Sequence, residues 1–157
     1  MPQLVFAMQF EGKAVPGDGS PGKLRAETFA HGQTLRTALG PEPVQGAIES
    51  AGGASATFDS EVEITGKDTF VESGSISYGT AGSVRFRTVG HGILGPSGLD
   101  GLQHGAVIWA VTGGEGQFAG ASGLITSNFT VGPDGAVVDD HFARLFLPSS
   151  DQELPHA

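Results

Sequence analysis

The chain of 157 residues contains no cysteine. That excludes a disulfide framework, a thiolate metal site and a cysteine nucleophile. Cationic side chains are scarce: eight Lys and Arg stand against 17 Asp and Glu, a net charge of −9 with histidine neutral. A domain this acidic repels phosphate backbones and anionic lipid, so neither nucleic acid nor a membrane surface is an expected partner. No apolar run approaches a membrane span. The Met-Pro-Gln start lacks a basic stretch followed by an apolar one, so no signal peptide is read and a cytoplasmic location is expected. The five histidines have no metal-ligand spacing. Neither a phosphate loop, a dinucleotide fingerprint nor a Gly-x-Ser-x-Gly elbow occurs, and no metal or cofactor is expected.

What is abundant is glycine, 26 residues, about twice ordinary usage and without a Gly-X-Y period. Glycines recur between apolar runs, as where strands turn and bend around a closed sheet. Extended stretches are predicted over Leu4–Val15, Leu24–Phe29, Thr57–Ile64, Thr69–Tyr78, Ser83–Ile93, His104–Thr112, Ser122–Val131 and Ala136–Leu147. Thr57–Ile64 alternates most clearly, with Phe58, Ser60, Val62 and Ile64 on one face and Thr57, Asp59, Glu61 and Glu63 on the other. Thr34–Leu39 reads as a helical turn or a loop, closed by Pro41 and Pro43. Gly113–Gly120 reads as a tight connection, and Gly132-Pro133-Asp134-Gly135 as a hairpin turn. The prediction is an all-β domain over residues 1–148, an eight-stranded antiparallel up-and-down barrel with a β-sandwich as the alternative, followed by a polar, disordered tail over 149–157. His104–Thr112 is apolar on both faces, and a barrel core covers only one. A homo-oligomer, dimer or trimer, is therefore expected.

One segment carries a family resemblance. Ala110–Phe129 reads AVTGGEGQFAGASGLITSNF, with Gly113, Gly114, Gly116, Phe118, Gly120, Ala121 and Gly123 in a Gly-Gly, Gly-x-Phe-x-Gly-Ala-x-Gly arrangement. This resembles the signature shared by allene oxide cyclases and dirigent proteins. Gly74–Gly92 and Val138–Pro148 resemble the flanking strands of those families, so the likeness covers roughly the second half of the chain. In the first half it narrows to Gly19-Ser20-Pro21 preceded by Glu11. The resemblance implies a glutamate that stabilises positive charge in an opened epoxide, with a serine and proline holding a water. Glu11, Ser20 and Pro21 are the matching positions, Glu11 one residue off the family spacing. The family's cysteine has no counterpart, and His104 stands near its pocket tyrosine. The glycines also have a physical reading: they permit positive φ and close backbone approach, while Phe118 plugs a barrel end.

The resemblance and the barrel together imply a cofactor-independent isomerase, cyclase or lyase acting on a small, mostly apolar compound in the lumen. The alternative is a non-catalytic small-molecule binder, dirigent- or lipocalin-like. A barrel filled by its own side chains is the third reading. Glu72 and Tyr78 share a face with Phe70 and Ile76; if that face lines the lumen, burial raises the carboxyl pKa and fits it for acid/base work. Asp139 shares a face with His141 and could orient it as a base. Candidate catalytic residues are thus Glu11, Glu72, Tyr78 and His141. Candidate substrate contacts are Ser20, Pro21, Phe70, His104, Trp109 and Asn128. Arg85, Arg87 and His91 read either as an anion anchor or as partners of Glu61 and Glu63 on the exterior.

Overall fold

A computed structural model describes residues 2–17, 19, 22–30, 33–38, 45–50, 55–99 and 101–148. Ser20, Pro21 and the 149–157 tail lie outside them. The strands are β1 (Gln3–Pro16), β2 (Lys23–Ala30), β3 (Gln33–Ala38), β4 (Gln45–Ser50), β5 (Ala56–Ile64), β6 (Thr69–Tyr78), β7 (Gly82–Thr88), β8 (Gly92–Pro96), β9 (Gln103–Gly116), β10 (Ser122–Val131) and β11 (Ala136–Phe146). Strands β1, β2, β5, β6, β7, β9, β10 and β11 pair with their neighbours in chain order, and β11 returns to β1. The result is a closed eight-stranded antiparallel barrel plus one extra strand, β8. Closure leaves the eight strands without a long free edge.

Three local expectations are corrected. Residues 33–38 form a strand rather than a helical turn, because 45–50 pairs with them antiparallel as a separate two-stranded ribbon. Ser83–Ile93 is not one strand. Arg87 faces Ser73 while Gly92 faces Phe70, so five steps along one chain oppose three along the other. The two extra residues form a bulge around Val89, Gly90 and His91, with Gly90 at φ 70°. Beyond it β8 continues the line of β7 between β6 and β9. Finally, β9 runs on through Gly113–Gly116 where a connection was expected, because Gly114 and Gly116 still pair with Val84 and Gly82. A Cβ at Gly114 would lie 2.5 Å from the carbonyl oxygens of Ser83 and Phe118, so only glycine admits this approach.

Side chains at alternate positions fill the interior. Phe10, Phe58, Ile76, Val84, Phe86, Trp109, Ile125 and Leu145 are buried in the middle. Each contributes roughly 1.5–3 kcal/mol through apolar burial. One end is closed by Phe118, whose ring lies 5.2 Å from that of Tyr78, with Phe6 edge-on to Tyr78 at 5.3 Å. The end where β5 passes to β6 and β10 to β11 is less filled. On the outside, Ile108, Leu124 and Phe142 are 44%, 51% and 48% exposed around Thr126, which the register places opposite both Ile108 and Phe142.

Candidate functional site

The less filled end holds a cavity of about 70 Å³ whose lining includes the partly exposed Ile64. Of the fourteen described residues that line it eleven are apolar, and the three polar ones are Thr28, Glu72 and Asp139. These come from β2, β6 and β11, so the site is assembled only when the barrel closes.

Glu72 is buried, and Ser60 Oγ donates a hydrogen bond to its Oε2 at 2.5 Å. Its carboxyl is pushed up from 4.5 to about 8. Burial in the apolar wall is the main cause, and the Asp139 charge adds to it; Ser60 and the Trp109 indole oppose it. That indole N–H is buried without a hydrogen-bond partner of ordinary geometry.

The local backbone follows from the bulge. Ser73 is the last residue of β6 paired directly with β7 before the break, and Phe70 is the next residue paired beyond it, with β8. At Glu72 the Thr88 side chain replaces the strand ladder: its Oγ1 accepts the Glu72 N–H at 2.8 Å and donates to the Glu72 carbonyl at 2.9 Å. The carboxylate therefore stands on a backbone fixed by a side chain at the point where the wall changes strand.

Opposite chemistry comes from the β10–β11 hairpin. Ser127 Oγ donates to Asp139 Oδ1 at 2.5 Å, and His141 Nε2 lies 2.9 Å from Asp139 Oδ2. The imidazole packs on Phe10 at 4.3 Å between ring centroids, with Trp109 edge-on at 5.0 Å. When Nε2 carries the proton given to Asp139, Nδ1 is a bare acceptor, and it has no hydrogen-bond partner. The two hairpins repeat one device. Ser60 sits beside Gly74 and Ser127 beside His141 in the register, and each serine reaches diagonally to the carboxylate two residues earlier.

The sequence candidates separate cleanly by position. Glu72, Phe70, Trp109, His141 and Tyr78 face inward, Phe70 and Glu72 on the cavity itself. Glu72 and Tyr78 do not converge, because six residues of strand separate them by about 20 Å. Tyr78 belongs to the plug, where burial pushes its phenol up. Glu11 stands on the outer face, exposed, opposite Val138. His104 and Asn128 also face outward, beside a shallow depression with Asp68 and Ile93. Arg85 and Arg87 are exterior, and Arg85 approaches Glu115 at 3.8 Å. Sequence reasoning missed Ser60, Ser127, Thr28 and Thr88. A signal for the two serines existed: each is a polar residue set into an otherwise apolar face, twelve positions before an acid.

Among the described residues no cluster of His, Asp and Glu could hold a metal ion, and no helix is long and apolar enough to cross a membrane. Comparison with protein-family models, with curated proteins and with solved structures gave no significant match.

Proposed function

We propose that the protein is a cofactor-independent isomerase, cyclase or lyase that moves a proton on a small, mostly apolar compound held at the cavity. The observation that carries this reading is the pairing of Glu72, poised near neutral pH in an apolar wall, with the Asp139–His141 pair on the same lumen. A proton-transfer group works best when its pKa lies near the operating pH. Glu72 carries the proton: its ionised form takes one from the substrate, and the acid so formed returns it at another position while Asp139 holds the substrate's polar group. Glu72 ends the cycle as it began, so no oxidant, reductant or further reactant is consumed. Ser60, Ser127 and His141 are positioning residues that fix the two carboxyls. The apolar lining excludes water from the reacting end and strengthens the electrostatics there. The likeness to allene oxide cyclases and dirigent proteins supports the same kind of chemistry by analogy of scaffold alone.

The largely apolar lining also favours a second reading, a carrier that binds without reaction. Proton NMR in deuterium oxide separates the two, using a panel of small apolar ketones and epoxides. The enzyme reading predicts deuterium uptake or rearrangement with the wild type. It also predicts rates roughly 10²–10⁴-fold lower with Asp139→Asn or Glu72→Gln, with binding kept. Binding without any proton exchange leaves the carrier, and absence of binding removes both.

A further inference from the structure

The polar part of the cavity has an uneven chemistry. Among the described residues its wall carries two carboxyl groups and one hydroxyl, and no Lys or Arg lines it. Among the described residues, Asp139 and His141 of β11 are the titratable groups that share the lumen with Glu72. The inward positions of β1, β2, β5, β7, β8, β9 and β10 carry none, and Tyr78 is at the far end. Three phenylalanines, Phe58, Phe70 and Phe129, complete the wall. Thr28, only 5% exposed, lines the space, and its buried hydroxyl has no hydrogen-bond partner among the described residues. A buried orphan acceptor beside two acids and three ring faces is an unusual thing for a fold to keep for stability alone.

A primary ammonium group answers each of these features. It has three N–H donors and no acceptor, matching the carboxylates of Glu72 and Asp139 and the hydroxyl of Thr28. Its charge is favoured by aromatic faces and by partly desolvated carboxylates. A carboxylate head would meet two acids with no compensating cation. The net charge of −9 draws cations and repels anions at long range. We infer that the cavity takes compounds with a small apolar body and one primary ammonium head, the head set among Glu72, Asp139 and Thr28. This rests on the proposed reading of the cavity as a ligand site and names the class of ligand.

Binding an ammonium there requires Glu72 to give up its proton, so uptake is linked to pH. Affinity for the amine rises by up to tenfold per pH unit between pH 6 and 8, where Glu72 passes from neutral to ionised.

The test is isothermal titration of the full chain with hexylamine, hexanol and hexanoate, one six-carbon body with three heads. The expected order is hexylamine at least tenfold tighter than hexanol, with hexanoate weakest. Glu72→Gln should cost hexylamine at least tenfold and leave hexanol within twofold, which also shows that the variant is folded. Hexanol affinity should be flat from pH 6 to 8. Hexanol or hexanoate binding as tightly as hexylamine, or a Glu72→Gln variant with undiminished amine affinity, overturns the ammonium assignment while keeping the cavity as a ligand site. Failure of all three compounds to bind overturns the ligand site itself.

Discussion

Glu72 is a carboxyl whose burial makes its neutral form the favoured one at neutral pH, and this has a consequence for stability. The folded state binds the Glu72 proton more tightly than the unfolded chain, since the pKa is about 8 against 4.5. Between those values the native state therefore holds more protons, and stability falls as pH rises through the window, levelling above about 8. The full change is roughly 5 kcal/mol at most. Urea unfolding at pH 5, 7 and 9 should show this decline in the wild type and a flatter profile in Glu72→Gln. An identical profile in the two proteins would contradict the burial argument. At this scale the sequence was partly legible. The alternation Phe70, Glu72, Ile76, Tyr78 put Glu72 and Tyr78 on one face, but alternation says nothing of height along the barrel, and so it hid their separation. The outward face of Glu11 was hidden for a related reason: it is set by the partner strand, since Glu11 stands opposite Val138, whose neighbours Val137 and Asp139 point inward.

Among the elements, β5 and β6 approach so closely at Ser60 and Gly74 that side-chain volume is decisive. A Cβ on Gly74 would lie 2.2 Å from the Asp59 carbonyl oxygen and 2.7 Å from Ser60 Cα. The backbone there cannot yield without moving the Ser60 hydroxyl away from Glu72. Gly74→Ala should therefore destabilise by about 1–3 kcal/mol or more. Gly95→Ala, with nothing within 4 Å of the added carbon, should stay within about 0.5 kcal/mol. Equal denaturation midpoints for the two variants would refute this account of the hairpin. Strand existence was readable from alternation and from turns such as Gly132–Gly135. The bulge at 89–91 was not, because two extra residues leave the hydrophobic pattern of Ser83–Ile93 nearly intact. They become visible only against the partners Ser73 and Phe70. The strand at 33–38 was missed because its β-character depends on pairing with 45–50.

For the whole molecule, closure of the sheet sets both the plug and the cavity. Phe118 and Tyr78 fill one end, the aromatic cluster around Trp109 fills the middle, and Glu72 and Asp139 stand where that packing stops. The barrel itself was legible from eight extended runs with short turns. The meeting of β2, β6 and β11 at one cavity was not, since it depends on strand tilt and stagger that no local pattern carries. Among the described residues, Ile108, Leu124 and Phe142 form an exposed apolar patch on the outside of β9, β10 and β11. The central claim, that the barrel keeps a neutral, ligand-facing carboxyl near physiological pH, is tested most directly by carbon-13 NMR titration of the Glu72 carboxyl, assigned through Glu72→Gln. The account predicts a midpoint at about 8 that falls when hexylamine is added. A Glu72 midpoint near the ordinary glutamate value of about 4.3 would contradict it.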